Sequence, residues 1–329
     1  MPKILLFTDL HLDQYRQFST TLENGLNSRL YAQWQVMEQV AKIAKDNEVE
    51  TVLFLGDFFN SQVDSISKMV YILGFEALRL IQSSCEHLYV IVGNHDLYRD
   101  QTILRTFNTF SDVVSVTTTE SIAGHKFVLV PWGDTVTDHT PGEYVAGHLS
   151  IIGARLNNLS KVEASEGIKP RSLTSFRKVL SGHYHIKQSL GPNIEYIGAV
   201  NPVGFGELGA PGYVSLFDPD TAEITSIELN TPRFFYIAIN TESDMERFLS
   251  ERNPKNYYRL FITSRTIPAP ELDEKVMSEY KVEETVETRL EVQEEPIEEL
   301  MFKFIDMIES KVDKKAVKKE LQAVMEETK

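Results

Sequence analysis

The chain has 329 residues, 42% of them hydrophobic, and a formal net charge of −15, which is enough for one large α/β core and a smaller appendage. No apolar run approaches the roughly 20 residues of a membrane span, and a single cysteine, Cys85, excludes an internal disulfide and fits a reducing compartment. The acidity counts against a nucleic-acid binder, but residues 271–329 alone carry a net −8, and two bound divalent cations would offset about four charges where they sit.

The apolar run Ile4–Thr8 predicts a buried strand that leads directly into Asp9. That leaves no room for a cleavable signal, so a cytoplasmic protein is expected, in the host cytoplasm if the chain is viral. Leu30, Trp34, Met37, Ala41 and Ala44 recur at helical spacing. Thr51–Leu55 predicts a second strand, Ser65 to Gln82 an amphipathic helix, Leu88–Val92 a third strand, and Leu104 with Phe107 a short helix. From Val113 the pattern turns to β runs at Val113–Thr117, Lys126–Pro131, Tyr144–Ala146, Val179–Leu180 and Glu195–Ile197. Tyr213–Phe217 and Ile224–Leu229 form a hairpin around Asp218-Pro219-Asp220-Thr221. These elements predict an α/β fold built on a two-sheet β sandwich flanked by helices, with a small α+β segment after residue 230 and a helical hairpin at the end.

Metal-capable residues fall at regular places on this map. Asp9 and His11 follow the first strand, Gly56-Asp57 the second, and Gly93-Asn94-His95-Asp96 the third. Gly147-His148 follows Tyr144–Ala146, and Gly182-His183-Tyr184-His185 follows Val179–Leu180. Each cluster lies at the C-terminal end of a predicted strand, the edge where α/β sheets place ligands. In four of the five a glycine precedes the ligand, which predicts a sharp turn and a close approach to a metal. Carboxylate, imidazole and amide oxygen together suit a hard-to-borderline ion such as manganese. Any one of these motifs has an ordinary structural explanation, but the ordered set of five does not. His87, His125 and His139 lie at strand entrances or in a polar loop and are expected to be ordinary surface histidines.

The set resembles the calcineurin-like metallophosphoesterase superfamily. Gly56-Asp57-Phe58-Phe59, Ser181-Gly182-His183-Tyr184-His185, and Tyr196-Ile197-Gly198 running into Asn201-Pro202 and Phe205-Gly206-Glu207 look like its SbcD-type branch. The look is nearest to the recombination endonuclease subunit of T-even-like phages. The resemblance covers residues 1 to about 230. It implies two divalent metal ions, Mn2+ with Mg2+ as the second choice, one held by Asp9, His11 and His185 and the other by Asn94, His148 and His183, with Asp57 bridging. It implies that His95 faces the phosphate as a catalytic group, with Asp96 orienting it. After Gly-Asp-x-Phe many relatives carry His or Asp; here the residue is Asn60, which cannot shuttle a proton.

The resemblance also implies a division into a nuclease domain (1–230), a small α+β capping or DNA-binding domain (231–281), an acidic linker (282–299) and a helical hairpin (300–329). Leu300, Met301, Phe304, Ile305 and Ile308 in that hairpin make an apolar stripe. It is expected either to pack on its own catalytic domain or to grip an SbcC-like SMC-type ATPase. A homodimer within a heterotetramer follows from the same likeness. Arg155, Lys161, Lys169, Arg171, Arg177 and Lys178 face two acidic residues between 155 and 178. Arg155, Lys169, Arg171, Arg177 and Lys178 are expected to track DNA, the plain alternative being a solvated surface. The expected function is a metal-dependent DNA exonuclease or endonuclease subunit of double-strand-break repair. Its rivals are another two-metal phosphoesterase, such as a protein phosphatase or small phosphodiesterase, and a non-catalytic scaffold that loads the ATPase on DNA.

Overall fold

Ile4, Leu5, Leu6 and Phe7 are all buried because the strand they form has a packed layer on each side. The computed structural model describes residues 3–60, 66–99, 101–156, 161–162, 167–264, 266–267, 272–280, 305 and 314–327. The chain runs β1 (Ile4–Phe7), α1 (Ser28–Asp46), β2 (Thr51–Phe54), α2 (Lys68–Gln82), β3 (His87–Ile91), β4 (Leu97–Tyr98), β5 (Gln101–Thr102) and β6 (Asp112–Val114). It continues with β7 (Thr118–Ile122), β8 (His125–Val130), β9 (Tyr144–His148), β10 (Lys178–Gly182), β11 (Gln188–Leu190), β12 (Ile194–Tyr196), β13 (Tyr213–Asp218) and β14 (Glu223–Glu228). Then follow β15 (Phe234–Ile239), α3 (Glu242–Glu251), β16 (Tyr257–Ile262), β17 (Val276–Tyr280) and α4 (Lys314–Glu327).

Two six-stranded sheets, ordered β14-β13-β1-β2-β3-β6 and β11-β12-β10-β9-β8-β7, make a mixed α/β sandwich. In the first, β1, β2, β3 and β6 run parallel; in the second, β8, β9, β10 and β12 do. Alternate residues explain the unbroken apolar runs. Leu5, Phe7, Val52 and Phe54 point to the layer of α1 and α2. Ile4, Leu6 and Leu53 point instead between the sheets, against Phe127, Leu129 and Leu180. A strand buried on both faces has no polar face to alternate with.

Helix α1 is capped by Asn27, whose side chain accepts from the N–H groups of Arg29 and Leu30. The cap contributes about 1 kcal/mol, whereas each fully buried side chain among Leu30, Val36, Met37 and Val40 contributes about 1.5–3 kcal/mol. Packing therefore holds this helix in place. The outer face of the second sheet is covered differently from expectation. Leu149, Ile151 and Phe176, with Leu173 from a 3₁₀ turn at Pro170–Leu173, pack there, and no α-helix lies between β9 and β10 among the described residues.

The run expected as one strand at Val113–Thr117 is split. Its start is β6 in one sheet, β7 begins the other at Thr118, and Val116 between them is 67% exposed. After residue 230, β15, β16 and β17 form a parallel three-stranded sheet. Helix α3 covers one face of it through Met245 and Phe248. Residues Met1–Val282 form one unit and Glu283–Lys329 a second. In the second, α4 is described and Ile305 is helical; Leu300, Met301, Phe304 and Ile308 lie outside the described residues. Among the described residues no helix is long and apolar enough to cross a membrane.

Candidate metal centre

Strands β1, β2, β3, β9 and β10 each end at the same edge of the sandwich, and every metal-capable cluster sits at or just past one of those ends. The turns there are made by the ligand-type residues themselves. Asp9, His11, Asp57 and His183 have φ values of 54°, 48°, 59° and 87°, a region that non-glycine residues occupy rarely and mostly at functional sites. The glycines act otherwise than expected. Of those preceding a ligand, Gly56 alone has a positive φ, 101°. A Cβ on Gly56 would strike the His148 imidazole, one on Gly93 the Asp57 carboxylate, and one on Gly182 the Thr8 hydroxyl. Their role is to let neighbouring loops close on one another.

Three overlapping groups result. Asp9, His11 and His185 offer ligand atoms within 4.8 Å of one another, as do Asp57, His148 and His183, and His11, Asp57 and His95. In the first, His11 Nε2 lies 3.0 Å from His185 Nε2 and 3.9 Å from Asp9 Oδ1. In the second, Asn94 Oδ1 is 3.0 Å from both His148 Nε2 and His183 Nδ1. Asp57 Oδ2 stands between them, 3.6 Å from His11 Nε2 and 3.3 Å from His148 Nε2. Thus Asp9, His11, Asp57, Asn94, His148, His183 and His185 meet at one place. The donor set fits divalent cations on an observation of its own. Asp9 Oδ1 is fully buried without a hydrogen-bond partner among the described residues, an arrangement unfavourable by about 1–3 kcal/mol unless a cation satisfies it.

Partners behind the ligands fix their orientation. His148 Nδ1 donates to the Leu55 carbonyl at 2.7 Å, which leaves Nε2 facing inward. His185 Nδ1 donates to Glu207, whose other oxygen accepts from the N–H groups of Val203 (2.9 Å) and Gly204 (3.0 Å). Burial opposes charge on both rings, yet Asp57 beside His148 and Glu207 beside His185 outweigh it and push each up to about 9. Burial and the neighbouring His185 hold His11 well below the ordinary imidazole value, and burial with His148 lowers His183 to about 3. Burial would raise Asp57, but His148 and His11 hold its carboxyl below the usual range.

His95 is held beside the centre. Its N–H donates to Asp57 Oδ1 (2.8 Å), its ring meets His11 edge-on at 4.7 Å, and its Nδ1 donates to the Asn60 carbonyl at 2.6 Å. Asp96, expected to orient His95, does something else. Its two oxygens accept four backbone N–H groups, those of Asp57, Phe58, Phe59 and Gly93, at 2.9–3.0 Å. Burial and the Asp57 charge push its carboxyl upward, against the pull of these donors.

The basic segment is not one patch. Arg177 is tied to the carbonyls of Pro219 and Asp220, and Lys178 pairs with Glu195 at 3.2 Å. Lys178 begins β10, whose far end carries the centre; five residues of strand separate them by roughly 13 Å. Arg155, Lys169 and Arg171 are exposed, and Lys169 lines the same groove as His148. Sequence reasoning missed Glu207, Trp132 and the Asn60 carbonyl. Glu207 had a signal in the Phe205-Gly206-Glu207 string; a backbone carbonyl has none. His125, set aside as an ordinary surface residue, lies 2.9 Å from Glu143 and 3.0 Å from Asp220.

Residues 2–192 match the family described as calcineurin-like phosphoesterase. Over 210 residues the chain is 25% identical to exonuclease subunit 1 of Enterobacteria phage T4, covering 59% of this chain and 60% of that protein. It is 23% identical over 296 residues to the SbcD component of the nuclease SbcCD of Escherichia coli strain K12, covering 70% of this chain and 68% of that one. A solved structure of an Aquifex aeolicus protein of unknown function gives a TM-score of 0.26 at 15% identity, over 56% of this chain and 81% of that one, a likeness too low to bear on the fold.

Proposed function

The chain belongs to the calcineurin-like phosphoesterase family, and from that premise we propose that it is a two-metal DNA phosphodiesterase, the nuclease subunit of a recombination and repair complex. The observation that carries the proposal is the pair of ligand sets sharing Asp57, with His95 anchored beside them. Asp9, His11 and His185 would hold one divalent cation, and Asn94, His148 and His183 the other, with manganese preferred and magnesium second. Bound there, the cations would supply Lewis acidity and a water of lowered pKa. The residues do the rest. Glu207 and the Leu55 carbonyl hold His185 and His148 in the tautomers that face inward. The Asn60 carbonyl accepts a hydrogen bond from Nδ1–H of His95 and so orients Nε2; a ring that also carries a proton on Nε2 would donate it to a phosphate oxygen or to the leaving sugar oxygen.

DNA as substrate is supported by the names of the relatives, one an exonuclease component and the other a nuclease component. A second subunit of the SbcC kind, gripped by residues 300–329, is part of the same proposal, as are the homodimer and a capping role for residues 231–281. The decisive experiment is hydrolysis of linear duplex DNA with manganese, using the wild-type chain and Asp57→Asn. Wild-type cleavage that Asp57→Asn abolishes, with the variant folded and depleted of metal, is expected. Two tightly bound ions without hydrolysis of any phosphoester would favour the scaffold reading. Hydrolysis of small phosphoesters without DNA cleavage would favour a different phosphoesterase.

A further inference from the structure

A groove of about 480 Å³ adjoins the metal centre and shares His148 with it. One wall is Trp132, which follows β8 and whose backbone N–H donates to the Val92 carbonyl at 2.9 Å. Its indole lies 4.5 Å from the His183 ring and 6.1 Å from the His148 ring, so the groove begins where the second ligand set ends. Val136, Leu149 and Ile168 supply the remaining apolar lining, and the first two are buried. Among the described residues of the lining, Lys169 is the one lysine or arginine and is exposed. The one acid among them, Asp134, is engaged through Oδ2 by the N–H and hydroxyl of Thr117, both at 2.8 Å.

We propose that this groove receives the base and sugar of a nucleotide flanking the scissile phosphate, with the base against Trp132 and an adjacent phosphate on Lys169. The inference rests on the DNA reading above and adds to it where the strand lies. The volume is within the range of small-ligand sites, roughly 300–1,000 Å³, which suits a single nucleoside and is too small for a helix or a folded loop. An aromatic wall fits every base, because each has a π-face, so the contact would be insensitive to sequence. Continuity with His148 fixes the register, since a phosphate at the metal centre puts the neighbouring nucleoside at the mouth of the groove.

The test compares oligo(dT) with an oligonucleotide of equal length made of abasic residues, so that phosphates are matched and bases are not. With manganese, the wild type is expected to cleave oligo(dT) with a kcat/KM roughly 10-fold or more above the abasic strand, the size of one base–aromatic stack. Trp132→Ala should cleave both at the lower rate, Trp132→Phe should restore most of the preference, and Lys169→Ala should raise KM on both strands alike. Manganese stoichiometry measured on each variant separates a lost base contact from a disturbed His183. Ile168 lines the groove and is not itself a ligand, so Ile168→Glu serves as a second probe and should also erase the preference. Equal cleavage of the two strands by the wild type, or an unchanged preference in Trp132→Ala and Ile168→Glu, overturns this inference and leaves the DNA reading standing. No cleavage of either strand or of duplex DNA overturns both.

Discussion

Replacing Glu207 with Gln is expected to weaken the cation position of Asp9, His11 and His185 while the position of Asn94, His148 and His183 persists. Glu207 is buried, and its two oxygens have separate tasks, one on His185 Nδ1 and the other on the N–H groups of Val203 and Gly204. Glutamine has the same shape but only one acceptor oxygen. If that oxygen stays on the two backbone donors, the NH2 group faces His185 Nδ1, which must then become an acceptor. The ring proton moves to Nε2, the nitrogen that lies 3.0 Å from His11 Nε2 and 3.8 Å from Asp9 Oδ1 and would bind the ion. The opposite flip leaves two backbone donors unmet at about 1–3 kcal/mol each, so the first prevails. A hydrogen bond to a charged acceptor contributes about 1.5–3 kcal/mol, which corresponds to a loss of roughly 10- to 100-fold in metal affinity, the range seen for partners behind ligating histidines. Calorimetric titration of manganese into both proteins reads this as one weakened site of two. Two sites of wild-type affinity in Glu207→Gln would refute the reasoning.

His95→Ala should keep both ions and lose about 10²- to 10⁴-fold in turnover; loss of metal together with activity would make it a ligand instead. Asp57 and Glu207 push His148 and His185 up to about 9, so cation uptake at neutral pH is expected to release protons from them. Manganese affinity should therefore rise with pH until about 9 and then level off, and titrations in buffers of different ionisation enthalpy should detect the released protons. His125 is raised above its ordinary 6.5 by its bonds to Glu143 and Asp220. Its contribution to stability is complete below about 6.5 and fades as pH rises through the folded value. The Tm gap between wild type and His125→Gln should shrink as pH rises above 6.5, and a gap independent of pH would refute this linkage.

The chemistry was legible in the sequence because each cluster follows a strand, and parallel strands deliver their C-terminal ends to one edge. Asp57 and Asn94 were found that way, with only the local pattern Gly-x after an apolar run. Glu207 was not, because it reaches His185 through the packing of a 3₁₀ turn against the sheet edge, and no periodicity encodes that approach. Asp96 was found but misassigned. An acid next to a histidine in sequence suggests a side-chain pair, whereas the turn aims its carboxylate at the amides of residues 57–59. Trp132 was invisible for another reason. A tryptophan after a strand is ordinarily core, and only the fold puts it against His183. The split at Val116 escaped because β propensity carries no information on which sheet a strand will join.

The four amides gathered by Asp96 have a consequence for how the protein meets its substrate. Elsewhere, successive amides at the end of a strand form a cradle for phosphate. Here that cradle is already filled by an internal anion, and the buried carboxylates of Asp9 and Asp57 lie close by. A phosphodiester approaching the centre therefore finds these four amides already engaged, so its oxygens depend on the side chains of the centre and on any cation held there.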